Sequence, residues 1–135
     1  MSKSLIYTAN TAGAAVPVGN TVPVGSIVRK YGKCIDATGS AINILEPGYY
    51  EVSVSATFTA AAAGDVRLTL LQDGVAVSGA TAAETVTVAG TQLANLGIVA
   101  VVRVCKCCSA NLSVVVGGTA APTVGNMAIR VVKVI

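Results

Sequence analysis

The sequence predicts an all-β fold, about 8–10 short antiparallel strands in a sandwich or barrel. Three observations carry this. A Pro47-Gly48 turn opens into a stretch with strict alternation, in which Tyr50, Val52, Val54, Ala56 and Phe58 share one face. Glu51, Ser53, Ser55, Thr57 and Thr59 share the other, and a period of two marks a half-buried strand. The apolar residues are mostly Val and Ala among many Thr and Gly, which suits pleated strands and turns. Turn residues recur along the whole chain at the spacing expected for a sandwich or barrel.

The elements follow in order. A short strand is expected around Leu5–Tyr7. Residues 1–25 then form an extended Pro/Gly-rich lead-in to one domain spanning 1–135. Val-Pro-Val-Gly occurs at 16–19 and again at 22–25. Pro17 and Pro23 lack a backbone donor, which restricts them to an edge or an extended loop. Ser26–Tyr31 and Ala41–Leu45 are the next strands, followed by Tyr49–Thr59. Ala60–Gly64 is too short for a helix. Val66–Leu70 and Val75–Val77 flank Asp73-Gly74, a hairpin signal because Asp-Gly supplies positive φ. Ser78–Ala83 reads as a small-residue loop and Thr85–Val88 as a separate strand. Gln92–Val104 is the longest apolar strand, with an interruption expected at Gly97. Cys105–Asn111 reads as a hairpin turn leading to Leu112–Val116. Gly117–Gly125 reads as a loop, and Met127–Ile135 closes the domain.

Charge narrows the function classes. Charged residues make up 11 % of the 135-residue chain and the net charge is +3. A domain this small normally carries more surface charge. Interface cores are depleted in charge, so the composition points to self-association. The basic cluster Arg29, Lys30 and Lys33 is too small for nucleic acid, which needs a broader patch. It reads as a solvated strand edge. No 20-residue apolar run free of charge and turn signals marks a membrane span, and the N-terminus lacks the apolar core of a signal peptide.

Chemistry is sparse. The chain has no His, so no Ser-His-Asp triad or Cys-His dyad is possible. The carboxylates Asp36, Glu46, Glu51, Asp65, Asp73 and Glu84 fall mostly at turns or on outward faces, and no feature selects a pair for glycoside chemistry. Asp73-Gly74 lacks the further ligands of a calcium loop. Cys105 and Cys108 have knuckle spacing, but beyond Cys107 only Cys34 remains as a further thiol. Adjacent strand residues point apart, so the expectation is free thiols, with no zinc and no disulfide within one chain. The alternative is a cluster contributed by three chains at a threefold axis. No catalytic, cofactor-binding or metal residue is expected, and no cofactor.

The order of motifs resembles the C1q/TNF-like jelly-roll superfamily. It is similar in particular to compact domains of bacterial spore-surface and bacteriophage structural proteins. The matching pieces are the lead-in Tyr7–Gly25, Ile42-Asn43-Ile44 with Glu46-Pro47-Gly48-Tyr49-Tyr50, the Leu68–Val75 hairpin, the strand before Cys105 and Met127–Val134. The chain departs from the family in its few aromatics and in Cys105–Asn111. The resemblance implies a ten-strand, two-sheet jelly roll and a homotrimer. It further implies a non-enzymatic virion protein made in the host cytoplasm: a capsid decoration or head fibre bound to the major capsid protein or another virion protein. Neither nucleic acid nor membrane is an expected partner. Starting at Met1 without a stalk, the chain is expected to be the whole product. The alternative is an adhesive or carbohydrate-binding module of a bacterial or spore surface, for which Tyr7, Tyr31, Tyr49 and Tyr50 are the available aromatics.

Overall fold

The computed structural model describes residues 3–105 and 109–135. Among them the chain forms strands and no helix. The strands are β1 (Leu5–Asn10), β2 (Ala14–Ala15), β3 (Ser26–Tyr31), β4 (Ile35–Thr38), β5 (Ala41–Ile44) and β6 (Gly48–Ala60). They continue with β7 (Gly64–Gln72), β8 (Val75–Val86), β9 (Ala94–Val104), β10 (Ala110–Gly118) and β11 (Pro122–Lys133). One sheet has the order β3-β1-β11-β6-β9, with β2 also on β11. The other has the order β4-β5-β10-β7-β8. Every pairing is antiparallel. From β5 onward the chain switches sheets at each connection except the β7–β8 hairpin. This is an all-β sandwich of the kind the alternation and turn spacing implied, with the two-sheet jelly-roll arrangement that the resemblance implied.

β6 lies at the heart of the first sheet. Tyr50, Val52, Val54, Ala56 and Phe58 are buried in the layer between the sheets, as the alternation required. Ile98, Ile129, Leu68, Leu70, Leu112 and Val114 complete that layer. The Asp73-Gly74 hairpin is also as read, with φ of 53° and 81° at the two residues. Asp73 ties the turn to β10, accepting from the Asn111 N–H through Oδ1 (2.9 Å).

Several expectations are corrected. Ser78–Ala83 is not a loop, and Thr85–Val88 is not a separate strand: the first stretch and residues 85–86 of the second belong to β8, which pairs with β7 along most of its length. Between Thr69↔Thr81 and Leu71↔Ala76 the register shifts, so Val77–Ala80 bulge out with Gly79 at φ 79°. Pairing to β7 overrides the weak strand propensity of Ser, Gly and Ala, and the bulge blunts an edge. β9 passes through Gly97 without interruption. β9 and β10 do not form a hairpin, since they belong to opposite sheets. The expected Cys105–Asn111 turn is therefore a crossover between layers, and Cys107 and Cys108 lie outside the described residues. The expected loop Gly117–Gly125 shrinks to three residues, 119–121. Pro122 heads β11, a strand position that needs no N–H, and Gly125 is a bulge in the pairing with β6. β2 and β4 were not expected.

Gly25 shows why the lead-in is glycine-rich. Its φ is +83°, and a Cβ there would overlap the Ala9 carbonyl. Asn10 ties the same loop down, donating from Nδ2 to the Pro23 carbonyl at 3.0 Å. One buried polar atom has no such partner among the described residues: Thr8 Oγ1, on a fully buried side chain. An unsatisfied buried hydroxyl costs about 1–3 kcal/mol. Thr8→Val keeps the shape and removes that atom, so its unfolding midpoint should rise.

Tyr50 contributes a pH dependence. Its phenol donates to the Glu46 carbonyl at 2.8 Å. Burial, then the negative charges of Glu46 and Cys34, push its pKa up from 10.0 to about 12. The folded state thus holds this proton more tightly than the unfolded chain. The contribution is complete below pH 10.0 and is lost as pH rises towards about 12. In alkaline denaturation, Tyr50→Phe should lose less stability across that window than the unsubstituted protein.

Candidate assembly surface

The outward face of the β3-β1-β11-β6-β9 sheet is where the fold concentrates its unusual chemistry. Register aligns its side chains in rows across five strands. One row is Tyr31, Leu5, Val132, Glu51 and Val101. The next is Arg29, Tyr7, Arg130, Ser53 and Val99. The third is Ser26, Ala9, Ala128, Ser55 and Gly97, every one of them small. Small residues in register leave a shallow trough of about 350 Å³, walled by Tyr7, Val99, Ser53 and Arg130 and floored by Ala128, Ser55 and Gly97.

Charge on this face is mostly neutralised locally. Arg130 Nη2 lies 2.9 Å from Glu51 Oε1, both side chains being about half exposed. Arg103 stacks over the Tyr49 ring, 6.0 Å from its centroid, a contact that favours a cation over the π face. The two lateral edges of the sheet differ. β3 is the edge carrying Arg29 and Lys30, as the basic cluster implied, and Lys30 pairs with Asp36 at 3.6 Å. β9 is the opposite edge, and Arg103 is its sole charged residue. Val99 is 73 % and Val101 61 % exposed there. A long apolar edge strand is a site for pairing or packing unless it is covered. Beside it, the seam between β8 and β9 opens a hollow of about 460 Å³ walled by Val75, Ala76, Val77 and Val101.

Several carboxylates make ion pairs or hydrogen bonds within the fold. Glu46 meets Lys133 at 3.1 Å, with both side chains mostly buried, and so clasps the start of β6 to the C-terminal strand. Asp65 accepts from Thr85 Oγ1 at 2.9 Å, Asp73 holds its turn against β10, and Glu84 is exposed on β8. Among the described residues, no group of three or more His, Cys, Asp or Glu could hold a metal ion. Cys34 is half-buried and Cys105 exposed, both as free thiols. The sequence reading missed the small-residue row. Its members lie on five different strands, and only the register brings them together.

No family model matches the chain, and no curated relative does. Solved structures do match. Murine APRIL at pH 8.0 superposes with a TM-score of 0.67 over 98 % of this chain and 100 % of that one, at 12 % identity. The Eiger TNF of S. frugiperda gives a TM-score of 0.70 over 98 % and 92 %, also at 12 % identity. The globular domain of zebrafish complement 1qA gives 0.65 over 98 % and 97 %, at 10 % identity. The protein has a C1q/TNF-like jelly-roll fold. At these identities the likeness concerns the fold alone.

Proposed function

We propose that the protein is a non-enzymatic structural module that closes into a homotrimer. The observation that carries this reading is the pairing, on one chain, of an uncovered apolar β9 edge with a small-residue trough on the sheet face. The β9 edge borders the trough on the same sheet. Where the edge of one copy meets the β1–β11 part of the face of the next, the contact is heterologous, and such contacts close into rings when the rotation permits. The low charge of the chain fits a surface largely given to neighbours. The resemblance to trimeric C1q/TNF-like domains supports three copies rather than another number.

The biological setting we propose is a bacteriophage virion, where the trimer decorates the capsid or heads a fibre and rests on the major capsid protein or another virion protein. This part rests on the motif resemblance. An adhesive, carbohydrate-binding role is the second reading. It is favoured by the placement of Tyr7, Tyr31 and Tyr49 on one face, with Tyr31 65 % exposed.

Light scattering on the purified chain tests the assembly: the expected mass is three times the 13.4 kDa chain. A stable monomer at micromolar concentration would overturn it. Co-sedimentation with capsids purified without this protein tests the setting. Binding to a glycan array with no binding to capsids would favour the second reading.

A further inference from the structure

The net charge of the chain sits in one corner of the fold. Lys3, Arg29, Lys30 and Lys33, with Asp36 as the single acid among them, account for the whole net charge of +3. The other charged residues are five basic and five acidic, so the rest of the chain is neutral. Strand β3 brings the corner together. It carries Arg29 and Lys30, and Lys33 follows in the turn to β4. Lys30 reaches Asp36 on β4 at 3.6 Å. Lys3 lies against the same turn, since a Cβ on Gly32 would come 2.9 Å from its carbonyl. Among the described residues, Lys3, Arg29 and Lys33 have no carboxylate at ion-pair distance. The Arg29 guanidinium donates instead to the neighbouring Val28 carbonyl at 2.9 Å.

The same strand is a free edge. Among the described residues β3 pairs with β1 on one side and with no strand on the other, and all its residues are exposed. Its apolar side chains are open too: Tyr31 is 65 % exposed, Ile27 and Val28 each 41 %. An unpaired edge is a template for another strand, and charge decides which strand it accepts. Two copies of β3 side by side would bring Arg29 and Lys30 of each against those of the other, and like charges across a strand pair are destabilising. An acidic strand meets the opposite sign. Register sharpens this. Arg29 is paired with Tyr7 and Lys30 with Ile6, and Tyr7 is exposed while Ile6 is buried. Arg29 and Lys30 therefore stand on opposite faces of the sheet, so two consecutive acids on an added strand would each meet one base.

We propose that β3 is the docking edge for an extended acidic segment of a partner protein, which adds to the first sheet as a further strand. Main-chain hydrogen bonds along the edge hold such a segment, and its carboxylates select this edge over the others. β3 contributes no wall or floor residue to the trough, so the docking does not need the ring and leaves the trough open for it.

Fluorescence anisotropy of a short labelled peptide, alternating Thr and Val around a central Glu-Glu, tests this with the full chain. The peptide should bind at low salt and weaken as salt rises. The double variant Arg29→Glu, Lys33→Glu alters exposed side chains. It should keep the circular-dichroism spectrum and weaken binding by about tenfold or more. Arg67→Glu, a reversal of an exposed charge on the other sheet, should leave binding unchanged. Two control peptides separate charge from strand addition. Lys-Lys in place of Glu-Glu should abolish binding. Pro at alternate positions, with both acids kept, should also abolish it, because main-chain donors are lost. Equal binding of either control would overturn the proposal, as would no binding of the acidic peptide or an equal loss in Arg67→Glu. A single-stranded oligothymidylate that binds more tightly than the acidic peptide would overturn it in favour of nucleic acid. Light scattering on the same samples reads the ring separately, so either reading can fail while the other stands.

Discussion

Phe58→Ala should cost about 3–5 kcal/mol of stability, the range for removing a large aromatic from a packed core. Phe58 is 1 % exposed and is among the largest fully buried side chains, with Tyr50 at the other end of the same strand. Its cross-strand neighbours are Val124 on β11 and Ala94 on β9, both buried. The chain has no Trp and one Phe, and the adjacent residues are small or β-branched, so little nearby can move to fill the space. Total stabilities of about 5–15 kcal/mol make this a large fraction. The check is the urea midpoint at fixed protein concentration, since assembly makes stability concentration-dependent. An unchanged midpoint would mean that Phe58 is not packed as described.

Gly97→Arg should abolish the assembly while leaving the chain folded. Gly97 floors the trough on the outward sheet face. Its φ is not in the left-handed region, and an added Cβ would meet nothing closer than the Val54 carbonyl at 3.9 Å. The substitution therefore carries no backbone strain. An arginine there fills the trough and places a charge where a neighbour must pack, a combination that interfaces reject strongly. Light scattering should show the single-chain mass, with a circular-dichroism spectrum like that of the unsubstituted protein. A variant that keeps the parent mass would remove the trough from the assembly surface.

These two variants probe the two faces of one strand pattern, and the sequence made only one of those faces legible. In β6 the alternation of Tyr50 to Phe58 with Glu51 to Thr59 is local and unambiguous, so strand, burial and side all follow from it. The Asp73-Gly74 hairpin is equally local, because its positive φ values demand particular residues. The Ser78–Ala83 stretch has no such pattern. Ala, Gly and Ser fit a loop or an edge strand equally well, and pairing with β7 made the choice.

The sequence by itself determined the class of fold, the inward face of the central strand and the basic β3 edge. These are properties of neighbouring residues, set by the period-two geometry of a strand and by the solvation of charge. Only the tertiary structure decided that β9 and β10 lie in different sheets. It also decided that Ala9, Ala128, Ser55 and Gly97 share a row. Those facts depend on which strands become neighbours, and hydrogen-bonded pairing between distant segments leaves no mark on either segment read alone.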